Sequence, residues 1–204
     1  MRDSTGRRTP LRLFVAGAVA LTIAGCGAGA PAGEDAAGGE APAVDARDAF
    51  FENVAALCGQ SFEGATTFTT NEQDPMATAR LVMTVESCTD TEIRIPFRVG
   101  EDRSRTWILT RSADGLLLKH DHRHEDGTPD EITDYGGWAT PDGTPYRQSF
   151  PADEFTAGLI PEAATNVWTL ELDPAGNRFI YDLRRHGQPR FQATFTHSSV
   201  SGAP

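Results

Sequence analysis

From Gly59 onward the apolar residues recur at every second position, a period that buries one face of an extended strand and cannot serve a helix. Ile93, Ile95, Phe97 and Val99 alternate with Arg94, Pro96 and Arg98, and Leu81, Met83 and Val85 alternate with Val82, Thr84 and Glu86. The same pattern marks further strands over residues 65–70, 106–111, 116–125, 131–138, 146–150, 167–172, 178–185 and 190–197. Turn signals separate them, among them Ala113-Asp114-Gly115, Glu125-Asp126-Gly127, Pro141-Asp142-Gly143 and the run from Asp173 to Asn177. Short strands joined by tight turns predict a mainly β domain, an antiparallel meander. A sheet of about 8–10 such strands removes its exposed edges by curling shut. The expected architecture is therefore a β-barrel, with a two-sheet sandwich as the alternative.

One segment breaks the period. Phe50, Phe51, Val54, Leu57 and Cys58 recur at three- and four-residue spacing behind Asp45, a helix-capping residue, and ahead of Gly59, a helix stop. This predicts a single N-terminal helix over 46–58 whose aromatic stripe plugs the core.

The chain of 204 residues carries a net charge of −11, yet its first 25 residues hold four arginines and one aspartate. Without that basic segment the remainder stands near −14. A surface so acidic repels phosphate backbones, so nucleic acid is excluded as a partner. Arg2, Arg7, Arg8 and Arg12 precede an apolar run from Leu13 to Ile23, too short to span a bilayer, which reads as an export signal. Residues 27–44 are almost entirely Ala, Gly, Pro, Glu and Asp. They lack the apolar surface to offset the entropy of ordering, and form a tether that reaches roughly 20–25 Å as a flexible coil.

Leu21-Thr22-Ile23-Ala24-Gly25-Cys26 resembles the lipobox of bacterial lipoproteins. That resemblance implies removal of residues 1–25, a lipid on Cys26, membrane anchoring through it, and a tether over 26–44 ahead of one domain at 45–199 and a short tail at 200–204. Gly27 rather than Asp after the cysteine implies the periplasmic face of the outer membrane. Arg7-Arg8 also resembles the twin-arginine export pattern, with Pro10 where that pattern has an aromatic residue, so the export route stays open between the two systems. With Cys26 acylated, Cys58 and Cys88 remain as an even pair in an oxidising compartment. They are expected to form a disulfide, the alternatives being two buried thiols or a pair of metal-ligating thiolates.

Three of the five histidines, His120, His122 and His124, fall within five residues. On a strand they share a face with Leu116 and Leu118, while Leu117, Lys119, Asp121, Arg123 and Glu125 form the other, solvent-facing set. Inward imidazoles could take a divalent transition metal, with His186, His197, Asp130 or Asp134 as further ligands, contact a small-molecule ligand, or simply hydrogen-bond across strands. Arg105, Trp107, Tyr135 and Trp138 are candidate ligand contacts, and Arg103 with Arg105 a candidate anion pocket. The glycines of Tyr135-Gly136-Gly137-Trp138 suggest a bulge or a sharp barrel bend. No catalytic residue is assigned: the chain has no Gly-x-Ser-x-Gly elbow, no phosphate-binding loop and no dinucleotide fingerprint.

One helix followed by a closing meander is similar to the calycin arrangement of lipocalins and fatty-acid-binding proteins. The similarity lies in element order, since Ser61-Phe62-Glu63-Gly64 stands where lipocalins carry Gly-x-Trp. Phe50-Phe51-Glu52-Asn53 with Cys58, the stretch from Asp102 to Trp107, Lys119 to Gly127, and Asp134 to Gly137 also resemble uncharacterised secreted proteins of proteobacteria. That implies an exported family without an assigned activity. The expected function is a lipid-anchored envelope protein whose barrel binds a small molecule or serves a structural role, with a metal-dependent protein and an envelope interaction module as alternatives.

Overall fold

A computed structural model of the chain describes residues 44–174 and 177–198. Cys26, the expected export segment, the expected tether up to residue 43 and the expected tail from 199 lie outside the described residues. The chain opens with helix α1 (Ala46–Ala55), followed by β1 (Ser61–Thr69), β2 (Leu81–Thr84), β3 (Ser87–Cys88), β4 (Glu92–Val99), β5 (Asp102–Ser112), β6 (Gly115–His122), β7 (Tyr135–Trp138) and β8 (Arg147–Pro151). Helix α2 (Glu154–Leu159) precedes β9 (Asn166–Asp173), β10 (Arg178–Arg185) and β11 (Gln188–His197). Short 3-10 turns occupy Pro75–Ala77 and Pro161–Ala163.

All strands belong to one antiparallel sheet in the order β7-β6-β5-β4-β2-β1-β11-β10-β9-β8, with β3 beside β4. Neighbours on this path are consecutive in sequence except β4 and β2, which skip the short β3, and β1 and β11, which join the two ends of the domain from Phe62 opposite His197 to Thr69 opposite Phe191. The single curled sheet sets the sandwich alternative aside. The barrel is nearly closed: between β7 and β8 the ladder is replaced by Asp153 N–H donating to Gly136 O and Thr140 N–H donating to Ser149 O, both at 2.9 Å.

This seam depends on two glycines and on a helix that the sequence reading omitted. A Cβ on Gly137 would lie 1.8 Å from Pro151 O, and one on Gly136, at φ 155°, would lie 2.0 Å from Leu118 O. Close approach of β7 to both its neighbours, rather than a bulge, is what these glycines serve. The buried backbone of Gly136 is then satisfied by α2: the buried Thr156 hydroxyl donates to Gly136 O at 2.8 Å and accepts from its N–H at 2.7 Å. Asp153 caps α2 by accepting from Thr156 N–H at 2.8 Å and pairs with Lys119 Nζ at 2.6 Å. One side chain thus anchors the helix and ties it to β6.

Helix α1 fills one end of the barrel. Phe50, Phe51 and Val54 are fully buried, the Arg111 guanidinium lies 4.3 Å from the Phe51 ring centroid, and Arg111 pairs with Glu52 at 2.5 Å. The helix ends at Ala55, short of the expected 58, because the chain unwinds into turns that carry Cys58 to its bridge with Cys88. This disulfide closes a sequence separation of 30. In the chain-entropy account such a cross-link stabilises by about 3–4 kcal/mol. It ties the helix end to β3, and it fits an oxidising, extracytoplasmic compartment.

The barrel interior is filled by side chains. Trp107 stacks between Phe97 and Tyr181, with centroids 4.8 and 4.6 Å away, and Phe195 meets Phe97 and Trp107 edge-on. Such offset and edge contacts add to the burial energy of the rings.

Gly137→Ala is expected to destabilise the domain by about 1–3 kcal/mol by forcing β7 from β8. Gly158→Ala, where the added methyl meets open space, should be neutral or stabilise by up to about 1 kcal/mol. Urea denaturation of both variants checks the pair.

Candidate functional site

Up-and-down topology puts the ends of β1, β6 and β10 and the starts of β5, β7, β9 and β11 at the barrel end opposite α1. The inward positions there are polar and aromatic instead of aliphatic. On β6 the buried stripe of Leu116 and Leu118 continues into His120, which is buried, and His122, which is half-buried at the rim. Arg105 lies opposite His122 and Trp107 opposite His120 across β5 and β6, while Tyr135 lies opposite His120 across β6 and β7.

His120 is held from both sides. Its Nδ1 is 3.1 Å from the Tyr135 carbonyl and its Nε2 is 3.0 Å from the Tyr181 hydroxyl. A carbonyl only accepts, so Nδ1 carries the proton and Nε2 accepts from Tyr181. Burial pushes the His120 pKa down to about 3, against the raising effect of the Tyr135 carbonyl, so the ring is neutral. The Tyr135 ring stacks on it at 4.7 Å, and the Tyr135 hydroxyl sits 3.0 Å from His122 Nε2. Burial raises the Tyr135 phenol to about 12 and, with the neighbouring Tyr135, raises that of Tyr181 as well. His122 is lowered by burial and by the charge of Arg105. The network consists of neutral imidazoles and protonated phenols.

Of the residues singled out in the sequence, His120, His122, Arg105, Trp107 and Tyr135 meet in one place; with Met76, Phe97 and Tyr181 they line a crevice of about 50 Å³. Three expectations fall differently. His124 lies past the end of β6, exposed, its Nδ1 4.0 Å from Asp130, and does not join the other two histidines. Trp138 is 41% exposed on the outer surface, because residues three apart on a strand face opposite ways and Tyr135 points inward. Asp121, expected to face solvent, is only 3% exposed: Arg94 at 3.3 Å and Arg123 at 2.8 Å fold over it, with Thr133 Oγ1 at 3.4 Å. The proposed additional ligands are also dispersed. His186 sits in the β10–β11 turn against Thr165, and His197 packs edge-on against Phe62 at the helix-plugged end. Among the described residues no group of three or more His, Cys, Asp or Glu side chains is placed to hold a metal ion.

A larger cavity of about 200 Å³ adjoins the crevice and shares Met76, Tyr135 and Tyr181 with it. Its floor is Trp168 and Phe191, and its mouth carries Asn166, Arg185 and Arg190. The Pro75–Ala77 turn, capped by Asp74 and held by Thr66 Oγ1 donating to Met76 O at 2.5 Å, brings Met76 over the opening. The sequence reading missed Trp168, Tyr181, Arg185 and Arg190. Tyr181 and Arg185 were accessible to it, because Phe179, Tyr181, Leu183 and Arg185 form one inward alternation on β10 that ends in a charge. Arg103, proposed with Arg105 as an anion pocket, is exposed and outside this cavity, and Arg105 is engaged by Asp102.

No known protein-family profile and no curated protein matches the chain. Among solved structures a redesigned β-barrel aligns over 70% of this chain and 93% of its own, with 12% identity and a TM-score of 0.29, too distant to bear on the site.

Because folding holds His120 neutral, only the unfolded chain gains a proton on this side chain between pH 6.5 and about 3. The His120 contribution is complete above pH 6.5 and is lost as pH falls below it, by about 1.4 kcal/mol per pH unit. His120→Gln should flatten the fall in stability between pH 6 and 4 relative to the parent, measured by denaturant midpoints across that range.

Proposed function

We propose that this protein is a lipid-anchored envelope protein whose barrel binds a small molecule in the cavity opposite α1. The observation that carries this reading is the lining of that cavity. It leaves about 200 Å³ between Trp168, Tyr181 and Phe191 and a mouth with Arg185 and Arg190, beside the buried histidine–tyrosine network, which the pocket of about 240 Å³ at the α1 end, lined by Leu57, Phe62 and Tyr146, does not adjoin. An apolar hollow with a few convergent polar groups is the usual form of a small-ligand site. Its volume lies below the roughly 300–1,000 Å³ typical of sites for drug-sized ligands, which favours a compact ligand over a long acyl chain. The neutral His120, His122, Tyr135 and Tyr181 would orient such a ligand by hydrogen bonds without adding charge.

Anchoring rests on the Cys26 lipobox and the 26–44 tether, which would hold the barrel off the membrane while leaving its open end accessible. The histidines support ligand contact better than metal binding, since His120 Nε2 and His122 Nε2 both face tyrosine hydroxyls at 3.0 Å.

Native mass spectrometry of the exported protein is expected to show a small organic adduct that Met76→Trp, which fills the opening, abolishes. A bare mass in both proteins, with no small molecule from a fragment library shifting the Trp168 indole signal, overturns the ligand-binding reading. Anchoring has a separate check: Cys26→Ser should move the protein from the membrane to the soluble fraction and end incorporation of an alkyne-tagged fatty acid.

A further inference from the structure

We infer that the ligand of this cavity is a compact anionic amphiphile of the carboxylic-acid class, its anionic group held by Arg185 and Arg190 and its apolar body lying against Trp168 and Tyr181. This deepens the proposed function and rests on it. The observation behind it is a pair of arginines without acidic partners. Both line the mouth of the cavity, and among the described residues neither makes an ion pair. Their hydrogen bonds go to neutral groups instead: Arg185 Nε donates to Asn166 Oδ1 at 2.8 Å, and Arg190 donates to Thr70 Oγ1 at 3.2 Å.

Most other described arginines have an acidic partner; Arg98, Arg103 and Arg184 make no ion pair either, but they lie outside this cavity. Carboxylates outnumber cations, 29 Asp and Glu against 18 Lys and Arg, and Arg47, Arg80, Arg94, Arg105, Arg111, Arg123, Arg147 and Arg178 each have one. Two guanidiniums left together without a partner disfavour each other's charge. The pKa of Arg185 is accordingly lowered by burial and by the neighbouring Arg190, with Glu162 opposing. Even so lowered, Arg185 stays charged at neutral pH, since guanidinium titrates far above it.

The backbone shows how the pair arises. Opposite β10, the β11 register runs from Phe191 paired with Leu183 directly to Pro189 paired with Arg184, so Arg190 is the extra residue of a bulge. A bulge re-aims a side chain that strict alternation would send to the opposite face. Here the residue beside the inward Phe191 also lines the cavity, next to Arg185. A carboxylate matches the planar fork of an arginine in a two-point contact, and the site is too small for a lipid tail.

The test uses the exported full-length protein with benzoate and its neutral counterpart benzamide as probes, followed through the Trp168 indole N–H signal in NMR titrations. Benzoate is expected to bind at least about tenfold more tightly than benzamide, as loss of a charge-assisted contact implies. Arg190→Gln should erase that preference, and Arg190→Lys should restore part of it. Equal affinity for the two probes, or a preference untouched by both Arg190→Gln and Arg185→Gln, overturns the anion assignment and leaves the cavity as a neutral-ligand site. If inorganic phosphate displaces benzoate as well as a second equivalent of benzoate does, the apolar body contributes nothing and the amphiphile assignment falls. No response of Trp168 to either probe at their solubility limits overturns both this inference and the ligand-binding reading beneath it.

Discussion

The closure of the sheet on itself is the constraint on which the other features depend. Ten strands in one antiparallel path have two edges, and an unpaired edge exposes backbone donors and acceptors that pair with whatever chain is near. Here β1 and β11 zip the domain's ends together in a long ladder. The β7–β8 junction is held by two backbone hydrogen bonds and by a threonine from α2. The seam works because Gly136 and Gly137 let three backbones come closer than any side chain would permit. A closed barrel then has an inside, and every alternate residue must be fitted to it.

What fills that inside differs along the barrel axis. At the α1 end, aliphatic and phenyl side chains meet the helix, and a pocket of about 240 Å³ lies beside it, lined by Leu57, Phe62 and Tyr146. Toward the other end the inward positions of β6, β7, β9 and β10 become His120, Tyr135, Trp168 and Tyr181, and at the rim His122, Asn166 and Arg185. Polar groups so deep are costly unless paired. The pairing is nearly self-contained: Tyr181 serves His120, His120 serves the Tyr135 carbonyl, and the Tyr135 hydroxyl meets His122. Because these groups satisfy one another as neutral species, the charge around the cavity comes from Arg185, Arg190 and Asp74, the last of which accepts from Met76 N–H. The cavity therefore combines a neutral aromatic interior with a rim of two arginines and one turn-capping carboxylate.

The outer face carries its own electrostatic order. Asp121 on β6 is covered by Arg94 and Arg123, and Lys119, two residues earlier, reaches Asp153 at the start of α2. These pairs lie directly behind the histidine strand. They hold β6 against β4, the following loop and the seam helix, and so help set the position of His120 and His122. Exposed pairs contribute little to stability, but the nearly buried Asp121 would be costly to leave without its arginines.

Strand by strand, much of this architecture was legible in the chain. Alternation assigns Ile93, Leu118 and Phe179 to the core and places Arg105, Trp107, His120 and Tyr135 toward one interior, since face is a local property with a period of two. The Cys58–Cys88 bridge followed from the cysteine count, and Asp45 with its phenylalanine stripe announced α1. Even the outward placement of Trp138 was implicit in its distance of three from Tyr135. The tertiary structure decided what local period cannot carry. It set the bulge that turns Arg190 to the cavity, the covering of Asp121 by side chains from β4 and the following loop, the partner of each imidazole nitrogen, and the use of α2 to complete an edge. Each of these depends on which residues from distant parts of the chain become neighbours when the sheet closes, and on how much water that closure removes. Alternation within a strand determines a side chain's face; only the register between strands determines what it meets there.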